Sequence, residues 1–267
     1  MDAVELIRQY TRHQYAILTE SGNKAIEIAI QVCREKTGRE IVLTVDQGGW
    51  LHFVKFPKKF GLKVEFIKTD YGIIDGKNIN GEGACCLIYE NPGGYFAEEP
   101  IRKVYENSKV PVILDVTGCI GDTEMCDGRY ADILVGSFGE WKAVNLGYGG
   151  FVSFKDEKDF VLAHKYIGKG FEEGRLEELE TKLREAPTRL RKLYDECKKI
   201  KGELNAYEII HKDKKCIVVV VAYKNDDEKK SLINYCERNK YEFTLCPRYI
   251  RVNEKAISIE VKRNELA

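Results

Sequence analysis

The sequence has no net charge: 43 lysines and arginines balance 43 aspartates and glutamates across 267 residues. A balanced chain lacks the bulk positive field that gathers nucleic acid or an anionic membrane surface, although a local basic patch stays compatible with it. Long apolar runs are also missing, and none approaches the ~20 residues of a membrane-spanning helix. The opening MDAVELIRQYTRH carries charges where a secretion signal needs an apolar core. Nine cysteines are present without a single Cys-x-x-Cys pair, so the sequence lacks the spacing of a zinc ribbon and the density of a disulfide scaffold. Reduced, buried thiols in a cytoplasmic protein are the expectation. Neither G-x-G-x-x-G nor G-x-x-x-x-G-K-[ST] occurs, which argues against the common nucleotide-binding loops. What the chain does have is 43% hydrophobic and 32% charged residues, the balance of a folded globular protein with an ion-paired surface. Its length suits one large domain, or one large and one small.

Periodicity predicts a helix over 2–13, a short strand over 15–20 and an amphipathic helix over 23–36. Ile26, Ile28, Ala29, Ile30 and Val32 supply the apolar positions of that second helix, and Ser21, Gly22 and Asn23 its capping chemistry. Short apolar runs follow at 41–45, 63–67, 85–89, 110–116 and 132–138, separated by turns or charged helices such as 100–108. Runs of this kind predict an α/β fold with a mostly parallel sheet covered by helices on both faces. One more strand is expected at 149–154. A long charged helix over 176–201 is expected to be disturbed at Pro187, because proline has no backbone N–H. Beyond Gly202 the pattern becomes strand 216–223, helix 228–240 and strands 249–252 and 256–262, a compact α+β unit. The expected division is therefore a large domain over 1–172, then an interdomain helix and small C-terminal domain over 173–267.

In open α/β sheets ligands bind just past the C-terminal ends of the strands. Here one strand runs into Glu90-Asn91-Pro92-Gly93-Gly94 and the next into Asp115-Val116-Thr117-Gly118. A third runs into Ser137-Phe138 and, five residues after the serine, Lys142, which sits between Trp141 and a Gly-x-Gly-Gly turn. The helix that starts near Gly22 would offer free backbone N–H groups to an anion. Each residue also has an ordinary structural reading. Lys142 could be a surface lysine, Asp115 a strand-end cap, Asn91 part of a turn and Trp50 a core side chain. The basic cluster at 192–204 reads as the solvated face of the long helix.

ESGNKA, YENPGGY, VILDVTG and SFGEWKAVNLGYGG stand in an order and spacing that resemble the fold-type I enzymes of pyridoxal 5'-phosphate (PLP), the aspartate aminotransferase superfamily. The match runs from about Leu18 to Phe154. The resemblance implies PLP as cofactor, with Lys142 as the amine that forms its aldimine and then serves as base. It implies Asp115 as the carboxylate beside the pyridine nitrogen, so the catalytic residues would be Lys142 and Asp115. Asn91 would donate to the ring's phenolic oxygen. Ser21, Gly22 and Asn23 would hold the phosphate at the helix terminus, helped by Ser137. Trp50, or alternatively His52, would stack on the ring, and Trp141 would keep water away. In YIRVN (249–253), Arg251 matches the arginine that pairs with a substrate carboxylate.

The implied activity is an aminotransferase that moves an amino group between a donor and a keto acceptor, both small molecules, in a cytoplasmic homodimer without metal. Other PLP chemistry (lyase, aldolase or sulfur transfer) stays open, as does a shortened, non-catalytic relative that acts as a binding subunit. The branch signals divide: the spacing from Lys142 to GYGG looks like sugar aminotransferases, whereas Asn-Pro-x-Gly and YIRVN look like amino-acid aminotransferases. No arginine follows Lys142 at the phosphate-binding place of the amino-acid branch.

Overall fold

The computed structural model describes residues 2–77, 79, 81–248 and 252–264. Seven strands form the main sheet: β1 (Tyr15–Thr19), β2 (Ile41–Val45), β3 (Lys63–Ile67), β4 (Ala84–Glu90), β5 (Val112–Asp115), β6 (Ile133–Ser137) and β7 (Gly150–Phe154). Their order across the sheet is β1-β7-β6-β5-β4-β2-β3. Every pairing from β3 to β6 is parallel, and β7 runs antiparallel to both β6 and β1. β4 and β5 are buried along their length except at Glu90, which is why they read as unbroken apolar runs rather than alternating ones. Register does the positioning: Glu90 lies opposite Asp115, Asp115 opposite Val135, and Ser137 opposite Gly150. The polar strand ends are thereby delivered to one edge of the sheet.

Helices α1 (Ala3–Thr11), α2 (Gly22–Thr37), α3 (His52–Lys59), α4 (Ile101–Asn107) and α5 (Glu157–Ala163) accompany this sheet. α2 starts where Ser21 Oγ accepts the Lys24 N–H at 3.2 Å, and ends at Gly38, whose N–H bonds Arg34 O at 2.9 Å. Its buried face, from Ala25 to Cys33, forms a core with Ile88, Ile113, Val135 and Val152 of the central strands. That packing fixes the N-terminus of α2 beside the end of β6.

α6 (Leu176–Glu203) runs unbroken through Pro187, contrary to the disturbance expected there. Proline removes the N–H that would bond Leu183 O, and that carbonyl instead accepts the Tyr10 hydroxyl at 3.0 Å. After α6 come β8 (Glu208–Ile209), β9 (Val219–Ala222), α7 (Asp226–Arg238), β10 (Phe243–Arg248) and β11 (Val252–Ile259). The four strands form a second, antiparallel sheet in the order β10-β11-β9-β8.

Here the sequence reading needs correction. A strand not expected from the sequence, β10, spans 243–248, and the strand expected at 249–252 falls on residues 249–251, Arg251 among them, that lie outside the described residues. β10 contains Pro247, which argues against a central strand but is tolerated on an edge, where β10 sits beside a register shift. The short helices α3 and α5 were also not anticipated. All nine cysteines are free and buried. Among the described residues no helix is long and apolar enough to cross a membrane.

Candidate active site

A cavity of about 350 Å³ opens at the C-terminal ends of β4, β5 and β6, against the first turn of α2. Ser21, Gly22, Asn23, Trp50, Asn91, Asp115, Ser137 and Lys142, residues far apart in the sequence, all line it.

Lys142 sits on the loop between β6 and β7, half-buried. The loop is pinned at its base, since the N–H groups of Leu146 and Gly147 both donate to Phe138 O at 2.8 Å and Phe138 N–H donates to Gly149 O at 3.0 Å. Gly147 (φ +81°) and Gly149 (φ +84°) take left-handed conformations that let the chain turn back into β7. Trp141 also has a positive φ, 60°, and its N–H is held by Asn145 Oδ1 at 2.6 Å. The ring of Trp141 remains 45% exposed at the cavity wall.

Asp115, 6% exposed, closes β5. Its Oδ1 accepts the Thr117 N–H at 2.9 Å. Burial pushes its carboxyl above the ordinary carboxylate range, opposed by the Thr117 hydrogen bonds and by the charge of Lys142. The same Thr117 receives Ser137 N–H on its hydroxyl at 2.9 Å, tying the ends of β5 and β6 together.

Asn91 is 1% exposed, and its amide is already engaged: Nδ2 donates to Met125 O at 2.6 Å, and Oδ1 accepts Glu99 N–H at 3.0 Å. Since a primary amide has two N–H donors, one remains for a ligand. Glu99 beneath it accepts Ile74 N–H at 3.1 Å, and burial raises its carboxyl well above the usual range.

At the α2 end, a Cβ built on Gly22 would lie 2.4 Å from Ser137 Cβ, and one on Gly150 would lie 2.6 Å from Gly22 N. The helix terminus and the end of β6 thus approach at a distance that only glycine allows. Gly22→Ala is expected to cost about 1–3 kcal/mol of stability, as overpacking does, read as a lowered midpoint in chemical denaturation. A midpoint equal to that of the parent would contradict this packing.

Asn23 Oδ1 accepts the Trp50 indole N–H at 3.0 Å. Trp50 packs at 5.3 Å on His52, which packs at 4.5 Å on Phe56. Burial lowers the His52 pKa, and the imidazole is not part of the cavity wall, so of the two ring-stacking candidates Trp50 is the one in place.

Sequence reasoning missed the wall built from distant parts of the chain: Phe96, Ile217, Lys262 and Arg263. Lys262 Nζ lies 3.6 Å from the centroid of the Phe96 ring, and the Arg263 guanidinium 4.8 Å from that of Trp141. The local VKR stretch carries no motif, and only the turn that follows β11 brings it to the cavity.

A mostly parallel seven-stranded sheet with one antiparallel strand, and a small antiparallel sheet beyond it, is the fold of the PLP-dependent transferases. The chain belongs to the DegT/DnrJ/EryC1/StrS aminotransferase family, which it matches over residues 4–191. Residues 187–267 match the MJ1341 family C-terminal domain. No protein of curated function matches the sequence.

Among solved structures, DndA from Streptomyces lividans aligns with a TM-score of 0.75 at 10% identity, over 96% of this chain and 86% of that one. SPT (serine palmitoyltransferase) with a PLP internal aldimine aligns at 0.72 and 13% identity, over 97% of this chain and 70% of that one. Inhibitor-bound glycine decarboxylase (P-protein) of the glycine cleavage system aligns at 0.71 and 16% identity, over 98% and 71%. At these identities the likeness is one of fold.

Proposed function

We propose that the protein is a PLP-dependent aminotransferase that moves an amino group from a small donor to a keto acceptor. The observation that carries this reading is the convergence of Lys142 and Asp115 on one cavity, beside the N-terminus of α2. The residues present fit the cofactor. Gly22, with no side chain of its own, opens α2 at the cavity beside Ser137, where a phosphate is favoured by helix-terminal N–H groups and the helix dipole. When bound, PLP supplies an aldehyde that bonds amines and a ring that draws electrons from the substrate's α-carbon.

The chain's own residues do the rest. Lys142 would hold the cofactor through its amine and would be the group that carries a proton at the donor's α-carbon. Asp115 would pair with the protonated ring nitrogen, a pairing that its burial would strengthen. Gly22, Asn23, Ser21 and Ser137 would hold the phosphate, Asn91 would offer its remaining N–H to the phenolic oxygen, and Trp50 would lie against the ring. Arg251, outside the described residues, keeps its role as a substrate-carboxylate partner as part of this proposal.

A donor half-reaction tests the reading against its rivals. Adding an amino donor alone is expected to release one equivalent of keto product and leave one equivalent of aminated cofactor on the protein. Carbon–carbon cleavage or sulfur release in place of the keto product would transfer the site to a lyase, aldolase or sulfur-transfer reading. The last of these needs an accessible cysteine, and every cysteine is buried.

The division into 1–172 and 173–267 belongs to the same proposal, supported by the second sheet and by the two family matches that meet within α6. So does the homodimer. Sedimentation velocity is expected to give twice the mass of the 30.6 kDa chain, and a monomer at catalytic concentration would remove that part of the reading.

A further inference from the structure

We propose that Phe96 and Trp141 form a subsite for the substrate side chain, and that the amino donor is an amino acid with an aromatic side chain. The inference rests on the aminotransferase reading and deepens it.

Large side chains seldom take a left-handed backbone, because the Cβ crowds the following carbonyl. Phe96 (φ 61°) and Trp141 (φ 60°) both do so, and both line the cavity. Strained residues of this kind persist only where their surroundings hold them, and they gather at ligand sites. Phe96 is held by a tight turn in which Gly93 and Ala97 exchange two backbone hydrogen bonds of 2.8 Å. The C-terminal unit fastens that turn: Phe96 O accepts Ile217 N–H at 3.4 Å, and Glu98 N–H donates to Lys215 O at 2.8 Å. Trp141 is held by Asn145 on its N–H and by the Arg263 guanidinium on its ring. Phe96 is half-buried and Trp141 packs in neither hydrophobic core, so core packing does not account for the indole's position. Among the described residues neither ring packs on another aromatic ring.

The cavity continues between these rings as an apolar surface. Pro92 and Ile217 close over Gly118, where an added Cβ would lie 2.7 Å from Pro92 Cδ and 3.1 Å from Ile217 Cδ1.

Charge gives no side chain of either sign an advantage there. Glu90, Asp115 and Glu140 on the wall stand against Lys142, Lys262 and Arg263, three formal charges of each sign. Lys142 and Asp115 belong to the cofactor in this reading. Lys262 and Arg263 lie on the two rings and within 3.7 Å of Glu260, and Arg263 is also 3.5 Å from Glu242. Glu90 is engaged within the protein, and Glu140 is exposed to water beside Trp141. An acidic side chain would meet Glu140, and a basic one Lys262 and Arg263. Burial of apolar surface is then the deciding term. A flat ring gains further from offset or edge-to-face contact with Phe96 and Trp141, which an aliphatic chain of similar size does not.

The test is calorimetric titration of the PLP-loaded protein with three unreactive acids: 3-phenylpropionate, 4-methylpentanoate and succinate. The phenyl compound is expected to bind at least fivefold more tightly than the aliphatic one and at least tenfold more tightly than succinate. Trp141→Ala and Phe96→Leu are each expected to reduce the first preference to less than twofold, and Trp141→Phe to keep most of it. Should Phe96→Leu fail to fold, the two Trp141 variants decide, because that ring is exposed. Equal binding of the three acids, tighter binding of succinate, or a preference untouched by Trp141→Ala would each overturn the inference. Loss of the dimer mass in Trp141→Ala with the preference intact would assign the indole to a subunit contact and overturn it too. Its fate is separable from that of the underlying reading. A normal donor half-reaction with binding blind to the ring sinks the subsite alone, whereas ring-selective binding with no keto product from phenylalanine or any other donor sinks the aminotransferase.

Discussion

Lys142→Ala is expected to abolish the visible absorbance of the PLP-loaded protein and to lower turnover by at least ~10²–10⁴-fold, the usual contribution of a positioned acid–base group. The fold is expected to survive. No hydrogen bond or ion pair of the described structure involves the Lys142 side chain, and the loop that carries it is held by backbone contacts at Phe138, Leu146, Gly147 and Gly149. Stability should therefore stay within ~0.5 kcal/mol of the parent, as for other substitutions that touch no packed feature. The combination discriminates, since a structural lysine would lower stability and leave the spectrum in proportion to folded protein. Titration of the variant with PLP, followed by absorbance, and a denaturant melt of the same sample read both quantities.

Asp115→Asn is expected to have opposite effects with and without cofactor. With PLP, removing the carboxylate would leave a buried cation unpaired, which costs about 3–5 kcal/mol, or roughly two to four orders of magnitude in affinity. Without PLP, the carboxyl is buried and its pKa is raised by desolvation. A group whose pKa is higher in the folded than in the unfolded state gives its full stabilisation below the unfolded pKa and loses it as pH rises through the folded one. The empty parent should thus weaken as pH climbs out of the acid range. The asparagine variant keeps an oxygen for Thr117 N–H and does not titrate, so at neutral pH it should melt at or above the parent and lose that advantage in acid. Melting curves of both proteins across pH, with and without PLP, check this. A variant that is less stable than the empty parent at neutral pH would show that Asp115 is held as a structural anion.

Much of the large sheet could be read from the sequence because strands covered on both faces must be apolar throughout, and β2 falls at the expected residues, as does the mostly exposed edge strand β3. The site residues of that sheet were legible for a related reason. Strand ends are where an apolar run stops, so Asn91, Asp115 and Ser137 could be placed before the cavity was seen. Local rules failed where tertiary partners override them. Pro187 was expected to disturb α6, but Tyr10, on another helix, supplies the missing donor. Pro247 hid β10, which survives as an edge strand. Lys262 and Arg263 were invisible because nothing local separates them from surface cations. Their place in the cavity wall depends on a turn that sets them against Phe96 and Trp141, more than a hundred residues away in the chain.

The covalent site can be read directly. Borohydride reduction of the PLP-loaded protein, followed by proteolysis and mass spectrometry, is expected to place the pyridoxyl mass on the peptide containing Lys142 and on no other lysine. The mass at a different lysine, or unmodified Lys142 in protein saturated with PLP, would contradict the account.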